Sequence, residues 1–251
     1  MKILGLIPSR LGSTRLKKKP LLEIGGIPIV IHTYKRAKLS KKLDELFICC
    51  DDIRIKRVCD YYGAKSILTS KKHKNGTERI GEGYLKLKKR FDLIIDIQGD
   101  EPLLKPNHID QVIEFHKKNL KSDIILPSIK STKKSGKNVV KVIKSASNKV
   151  LYLSRKNLPF EFKKQNRSYY KHLSIISFKP SSLLKFCNSK ETFLESIEGV
   201  ELLRALELDM HIQTVSLKGS SFSVDVKKDF IKAKKYILQD KLFKKYIINE
   251  K

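Results

Sequence analysis

Strand-like and helix-like segments alternate along the first half of the chain. Ile3–Pro8, Leu46–Cys50 and Leu93–Ile97 have the apolar character of buried strands, and the last of these is predicted to be the most buried. Repeated strand–helix–strand connections favour a parallel sheet with helices on both faces. Ligands bind such sheets at the carboxyl ends of the strands. Functional residues are therefore expected in the loops that follow these three strands.

Cap and breaker residues extend this prediction along the chain. Asp51 or Asp52 suits the N-cap of a helix that runs through Tyr62 and ends at Gly63. Other predicted helices cover Ile27–Leu39, Thr77–Lys89, Asn107–Asn119, Val200–Leu208 and Val226–Leu238. Other predicted strands cover Lys65–Leu68, Ile124–Pro127, Val139–Ile143, Val150–Ser154, His172–Phe178 and Ile212–Leu217. We predict one α/β domain over residues 1–251, with an antiparallel insert at about 129–200 that forms a lid or a dimer surface.

The charge balance is strongly basic: 54 Lys and Arg against 26 Asp and Glu give a net charge of +28. The lysines are spread over the chain, which favours solvated surfaces over a nucleic-acid footprint. A non-catalytic basic protein that binds RNA or lipid is the alternative from a different class. Apolar runs are far shorter than the roughly 20 residues of a membrane helix. We expect a cytoplasmic protein with reduced cysteines, no nucleic-acid partner and no stable membrane insertion.

The loop after the first strand, residues 8–20, is rich in hydrogen-bond donors. Gly12, Ser13 and Thr14 form a flexible turn, and the cations Arg10, Arg15 and Lys19 surround it. Backbone N–H groups, hydroxyls and cations of this kind can cradle a triphosphate. The loop matches neither a Walker A sequence nor G-x-G-x-x-G. A solvated basic loop is the alternative interpretation.

Two acidic sites follow predicted strands. Asp100 and Glu101 come directly after the strand Leu93–Ile97, where one or two carboxylates suit Mg²⁺ bound to substrate phosphates. The alternative is an ordinary acidic turn. Asp225 is either the N-cap of the helix that begins near Val226 or a second metal ligand beside Asp100. The metal interpretation requires the two carboxyl groups to lie within about 10 Å of each other.

Together these motifs resemble the 3-deoxy-manno-octulosonate cytidylyltransferase family, also called CMP-Kdo synthetases. The matching segments occur in family order and span nearly the whole chain: IPSRLGSTRL…KPL at 7–21, NGTERI at 75–80, QGDEP at 98–102, VVKVI at 139–143, YLSRKNLPF at 152–160, HLSI at 172–175 and ELLRALE at 201–207. No single motif is decisive, but QGDEP combined with GSTRL and SR-x-x-x-P is highly specific.

The resemblance implies a GT-A-like α/β nucleotidyltransferase fold, with a mostly parallel central sheet, flanking helices and a smaller antiparallel insert, usually in a homodimer. It implies Mg²⁺-dependent transfer of CMP from CTP to the anomeric 2-hydroxyl of the ulosonic acid Kdo, with release of pyrophosphate. The product would be the activated sugar for lipopolysaccharide synthesis. Another cytidylyltransferase, for 8-amino-Kdo or for a nine-carbon acid, is the alternative within the same chemistry.

The resemblance also assigns roles to individual residues. It implies that Lys19, Asp100 and Asp225 are catalytic, with the two aspartates as metal ligands. The residues implied to bind the nucleotide are Arg10, Ser13, Arg15, Lys19, Asn75, Gly76, Thr77, Arg79 and Gln98. Those implied to bind the sugar are Gln98, Arg155, His172 and Glu201.

Several positions depart from the family pattern. Lys17-Lys18 replaces Pro-Gly, and Lys18 is strained if that backbone has a positive φ. Ile176 replaces an aromatic hydroxyl, and Leu202 replaces an amide. If these two side chains line the sugar site, the loss of polar partners favours a modified sugar such as an 8-amino acid. If they lie in the core, the sugar site is ordinary.

Overall fold

The computed structural model describes residues 1–132, 136, 138–163, 168–219 and 222–247. The chain forms two compact units. Unit 1 comprises Met1–Asp110 and Ser221–Lys251, and unit 2 comprises Gln111–Ser220. Unit 1 is therefore discontinuous in sequence. The single domain over 1–251 and the insert at about 129–200 stay predictions.

Unit 1 contains a parallel sheet built around its first strand. The strands are β1 (Ile3–Ser9), β4 (Glu45–Cys50), β5 (Ser66–Leu68) and β6 (Leu93–Ile97), in the order β5-β4-β1-β6. All neighbouring pairs are parallel. Every residue of β1 and β6 is buried, which is why their sequences are mostly apolar and do not alternate with polar residues. The predicted parallel arrangement is confirmed.

Helices surround this sheet: α1 (Ile29–Ala37), α2 (Ile53–Tyr61), α3 (Gly76–Leu87), α4 (Pro106–Lys118), α8 (Lys227–Gln239) and α9 (Lys241–Ile247). The division between the units falls within α4. Asp52 is the N-cap of α2, and its carboxylate accepts the Arg54 N–H, as predicted. The helix predicted from Ile27 begins only at Ile29, because a short hairpin precedes it. Its strands are β2 (Glu23–Ile24) and β3 (Ile27–Pro28).

The C-terminal helices are anchored to α1. The Tyr246 hydroxyl lies 2.7 Å from Nδ1 of the buried His32, whose Nε2 lies 2.8 Å from the carbonyl oxygen of Ile24. Because a carbonyl only accepts, Nε2 carries the proton and Nδ1 accepts from the tyrosine. The buried Arg36 donates to the Asp240 carboxylate on the same side. These contacts connect the N-terminal and C-terminal segments of the chain within unit 1.

Unit 2 is organised around β7 (Ile124–Ser131). The parallel neighbour of β7 is β12 (Ile212–Leu217), and its antiparallel neighbours are β10 (Tyr169–His172) and β11 (Ile175–Phe178). Two further antiparallel strands, β8 (Lys141–Lys144) and β9 (Val150–Ser154), extend from β10. The helices are α5 (Pro180–Cys187), α6 (Phe193–Glu198) and α7 (Leu202–Glu207).

The single strand predicted over His172–Phe178 is two strands, because its partner contains a proline. Both β10 and β11 pair with β7, and the break at Leu173 lies opposite Pro127. Leu173 donates its N–H to the Pro127 carbonyl, but proline has no N–H to return. The ladder is therefore interrupted there. This break ends β10 at His172.

The predicted fold class is confirmed: a mixed α/β structure with parallel strands in unit 1 and antiparallel strands added in unit 2. Cys49, Cys50 and Cys59 are buried, and all four cysteines are free thiols. Burial raises the pKa of Cys59 to about 12, so it acts as a small apolar residue. Within the described ranges, no helix is both long and apolar enough to span a membrane.

Candidate active site

Three chain segments of unit 1 meet at the carboxyl ends of its strands. A Cβ atom on Gly99 would lie 2.7 Å from the Pro8 carbonyl oxygen, so only glycine fits there. A Cβ atom on Gly76 would lie 3.2 Å from Pro8 Cγ and 3.3 Å from Gln98 Nε2. The ends of β1 and β6 and the start of α3 are thus in close contact. The sequence predicts a ligand at these carboxyl ends of the strands.

The loop after β1 presents its cations to solvent. Arg10 is exposed, the Arg15 side chain is 56% exposed, and Ser13 is partly exposed. A Cβ atom on Gly12 would meet no atom within 4 Å. The Leu11 N–H donates to Asp51 Oδ1 at 2.9 Å, which fixes the start of the loop. The predicted phosphate cradle is therefore an open, cationic loop with an anchored base.

Lys19 lies between two carboxylates. Its Nζ atom is 2.7 Å from Asp100 Oδ2 and 3.8 Å from Asp225 Oδ1. The separation of the two oxygens cannot exceed the sum of these distances, so it is well below the 10 Å that the metal interpretation requires. Arg15 Nη2 lies 3.1 Å from the same Asp225 oxygen. Residues from three distant parts of the sequence thus form one charged cluster.

Backbone and buried contacts place Asp225 beside Asp100. The Val224 N–H donates to the Asp100 carbonyl oxygen at 2.9 Å. Ser223 Oγ donates to Glu101 Oε1 at 2.9 Å, and Glu101 is only 2% exposed. Glu101 therefore belongs to the scaffold that holds the segment before Asp225. Only Asp100 of the acidic pair lies in the charged cluster.

The alternative that Asp225 caps a helix is wrong. Val226 occupies the N-cap position of α8. Asp229 Oδ2 accepts the N–H groups of Asp225 and Val226 at 3.2 and 3.1 Å, so it satisfies the first donors of the helix. The Asp225 carboxylate contacts Arg15 and Lys19 instead.

The start of α3 is held by two of the residues predicted to bind nucleotide. Asn75 is the N-cap, and its side-chain oxygen accepts the Glu78 N–H at 2.8 Å. Arg79 is 2% exposed and donates from Nη1 to Thr69 Oγ1 at 2.8 Å. Thr77 is buried, and Gly76 makes the close approach to Pro8. The structure thus gives Asn75 and Arg79 scaffold contacts.

Asp51 contacts two segments of the candidate site, and the sequence interpretation missed these contacts. Its Oδ1 atom accepts from the start of the cationic loop, and its Oδ2 atom lies 3.6 Å from Arg79 Nη2. It therefore links two segments of the candidate site. The only sequence signal for these contacts is that Asp51 directly follows a buried strand. An acid at this position was already accounted for by the helix cap at Asp51 or Asp52.

Gln98 is oriented by a buried acid. Its Nε2 atom donates to both carboxylate oxygens of Asp96, at 3.1 and 2.9 Å, and Asp96 is fully buried in β6. The amide is therefore fixed at the end of the strand. Its role towards nucleotide and sugar stays a prediction.

The remaining sugar-side residues lie in unit 2, at one end of its antiparallel strands. Lys141 in β8 pairs with Ser154 on one side and with Lys171 on the other. Both pairs are antiparallel, so β9 and β10 run in the same direction. Arg155 and His172, each one residue further along, therefore occupy the same end.

Arg155 is tied to the end of α6. Its Nε donates to the Glu198 carbonyl oxygen at 2.9 Å, and its Nη2 donates to the Gly199 carbonyl oxygen at 2.8 Å. Glu201 follows two residues later, just before α7. These contacts bring Arg155 to the chain segment that carries Glu201.

His172 has a buried and unsatisfied ring nitrogen. Its Nε2 atom is shielded from solvent and has no hydrogen-bond partner among the described residues. Burial lowers the pKa of His172 to about 3, and the positive charge of Lys171 acts in the same direction. The imidazole is therefore neutral at physiological pH. A buried polar atom without a partner is costly, so this nitrogen suits a hydroxyl of a bound ligand.

Ile176 and Leu202 belong to the core of unit 2. Each is 2% exposed. This observation favours the interpretation in which neither side chain alters the sugar site. It removes the structural basis for inferring a modified sugar from these two replacements.

The charged cluster could hold a divalent cation only if a bound substrate supplied further ligands. In the part of the chain that the structure describes, no group of three or more His, Cys, Asp or Glu side chains is arranged to bind a metal. Two carboxylates are nevertheless the complement that Mg²⁺ commonly takes from a protein when phosphates supply further ligands.

The fold and this site are typical of a nucleotidyltransferase, and comparisons identify the family. Residues 4–212 match the family model described as Cytidylyltransferase. A 3-deoxy-manno-octulosonate cytidylyltransferase of Thermodesulfovibrio yellowstonii is 37% identical over 92% of this chain and 96% of its own. The chain belongs to the cytidylyltransferase family, in its 3-deoxy-manno-octulosonate cytidylyltransferase group, as the motifs predicted.

Two further proteins are informative about the group. An 8-amino-3,8-dideoxy-manno-octulosonate cytidylyltransferase of Shewanella baltica is 34% identical over 96% of this chain and 100% of its own. A solved structure of CMP:2-keto-3-deoxy-manno-octonic acid synthetase complexed with CTP superimposes with a TM-score of 0.88 at 27% identity. The superposition covers 95% of this chain and 99% of the chain in that structure.

The backbone of Lys18 generates a stability prediction. Lys18 precedes Lys19 with φ 53° and ψ 32°, in the left-handed region that disfavours side chains with a Cβ atom. We expect Lys18→Gly to raise the free energy of unfolding by about 1 kcal/mol, because it removes this strain. Urea denaturation of the two proteins measures the difference.

Lys17→Gly is the matched control. Lys17 is also exposed and is not among the positive-φ residues, so the substitution only increases the entropy of the unfolded chain. It should lower stability slightly. An equal gain in both variants would contradict the strain at Lys18.

Proposed function

We propose that this protein transfers CMP from CTP to the anomeric 2-hydroxyl of 3-deoxy-manno-octulosonate. The sugar oxygen attacks the α-phosphorus, a C–O–P linkage forms, and the bond to pyrophosphate breaks. The product is an activated sugar for lipopolysaccharide synthesis. The proposal places the reaction in the cytoplasm, since it consumes a nucleoside triphosphate.

The observation that carries this proposal is the position of Lys19 Nζ between Asp100 and Asp225. A cation already lies between these carboxylates, so their arrangement is complementary to positive charge. The open loop with Arg10, Ser13 and Arg15 follows β1 in the same unit. We propose that this loop binds the triphosphate of CTP, and that Lys19 stabilises the charge on the departing pyrophosphate.

The same carboxylates fit a divalent metal ion. Oxygen ligands from two aspartates, partly exposed at a sheet edge, are the donor set that Mg²⁺ prefers. We propose that Asp100 and Asp225 hold it. When bound, the ion would neutralise phosphate charge and lower the pKa of the attacking hydroxyl.

The sugar acid needs a cation and hydrogen-bonding groups. We propose that Arg155 binds its carboxylate, that His172 Nε2 bonds to a hydroxyl, and that Glu201 and Gln98 bind further hydroxyls. The unsatisfied nitrogen of His172 supports this assignment. Binding both substrates in fixed orientation supplies part of the rate enhancement.

The decisive assay supplies CTP, Mg²⁺ and either Kdo or its 8-amino analogue. We expect CMP–Kdo and pyrophosphate, with a larger kcat/KM for Kdo, because Ile176 and Leu202 are buried. A larger kcat/KM for the amino sugar would assign the protein to the specificity named for the Shewanella relative. Absence of transfer to both acids, in folded protein, would overturn the proposed function.

Asp100→Asn tests the catalytic cluster. Loss of one carboxylate should lower kcat at least 100-fold and leave the far-ultraviolet circular dichroism unchanged, because the Val224 contact uses the Asp100 backbone oxygen. Asp110→Asn is a control on an acid of the same unit that is outside the charged cluster and accepts from Ser40 Oγ and the Lys41 N–H. Near-normal turnover by Asp100→Asn would reject the metal assignment.

We also propose a homodimer formed through unit 2. Among the described residues of this unit, six large apolar side chains are more than half exposed: Leu120, Leu151, Phe160, Phe162, Phe193 and Ile197. Exposed apolar surface of this kind is typical of an interface between chains. Sedimentation equilibrium should give twice the chain mass of 28.9 kDa, and Phe193→Glu should weaken the association. A monomer at micromolar concentration would contradict the proposal.

A further inference from the structure

Lys141, within the VVKVI segment, is a buried lysine for which the proposed reaction has no use. It is 1% exposed, which is rare for this residue type. Its ammonium donates to the carbonyl oxygens of Gly136, Val139 and Arg155 at 3.2, 2.8 and 2.6 Å. These three bonds use all of its donors. The shortest of them ends on the main chain of Arg155.

Glu198 holds the same arginine from the other side. Its carboxylate accepts from Ser154 Oγ at 2.8 Å and from the Arg155 N–H at 3.0 Å. Its main-chain carbonyl accepts from Arg155 Nε at 2.9 Å. Ser154 is fully buried, whereas Glu198 and Arg155 are partly exposed. A hydrogen bond to a charged group is stronger than one between neutral groups.

Together the two residues bind Arg155 at its N–H, its carbonyl and its guanidinium. The opposite charges of Glu198 and Lys141 also interact: burial and the positive charge of Arg155 lower the pKa of Lys141, and the Glu198 charge opposes this. An arginine that recognises a carboxylate must present its planar group in a fixed direction. We propose that Lys141 and Glu198 are positioning residues that orient Arg155 towards the carboxylate of the sugar acid.

This inference rests on the sugar-binding role of Arg155 in the proposed function. A purely structural role would make a different prediction. Damage to the fold would lower kcat and raise both KM values together. Misorientation of Arg155 would raise the KM for the sugar acid and leave the KM for CTP unchanged, because the cationic loop and the acid pair lie in unit 1.

The test measures initial rates with CTP, Mg²⁺ and Kdo for the full chain and for Glu198→Gln. The amide keeps the size of the side chain but loses its charge and one acceptor. We expect the KM for Kdo to rise about 5-fold or more, with the KM for CTP within twofold. Lys141→Met, which removes all three bonds of the ammonium, should change the same parameter in the same direction.

Glu207→Gln is the matched control. Glu207 is another carboxylate of unit 2, and it accepts a backbone N–H from α6, at Leu194. We expect its two KM values to equal those of the unchanged protein. If Lys141→Met does not fold, Glu198→Gln alone decides the question.

An unchanged KM for Kdo in folded Glu198→Gln would overturn the inference, as would an equal rise of both KM values. Arg155→Gln separates this failure from failure of the proposed function. If Arg155→Gln raises the KM for Kdo and Glu198→Gln does not, only the positioning role is wrong. If Arg155→Gln leaves it unchanged, the sugar-binding assignment of Arg155 is wrong as well.

Discussion

The ammonium of Lys19 is the charge on which the candidate active site depends. Two aspartates that are 125 residues apart in sequence would repel each other at this distance, and the lysine offsets that repulsion. The sheet supplies Asp100, the loop after β1 supplies Lys19, and the returning C-terminal segment supplies Asp225. The backbone bond from Val224 to Asp100 keeps the two segments aligned. The arrangement thus combines a rigid strand end with charges that a substrate can engage.

Neighbouring acids in this protein divide into those that support the backbone and those that pair with the cations of the candidate site. Glu101 is buried and holds Ser223, while its neighbour Asp100 contacts Lys19. Asp229 satisfies the start of α8, which leaves the Asp225 carboxylate with Arg15 and Lys19. Glu198 has a supporting role of the same kind in unit 2, where its carboxylate accepts the backbone N–H of Arg155. Burial and hydrogen bonding, rather than residue type, therefore separate the two kinds of acid.

The parallel strands of unit 1 and the loops of the candidate site could be predicted from the sequence, because the patterns that indicate them are local. Continuous apolar runs indicated β1, β4 and β6, and the loops after them contained Lys19 and Asp100. The split at Leu173 was not accessible, because its cause is Pro127 on another strand. The short helices α5 and α6 were also missed, since their stability comes from packing rather than length. The contacts of Lys141 and Glu198 depend on strand register, which no local pattern encodes.

The split of unit 1 into two chain segments has a consequence for biosynthesis. As the chain leaves the ribosome, β1 to β6 can pair before residues 222–247 exist. Asp225, and the helix contacts that His32 and Arg36 make with Tyr246 and Asp240, arrive only after the whole of unit 2 has been translated. A nascent chain therefore carries the cationic loop long before Asp225, and the charged cluster is completed only near the end of translation.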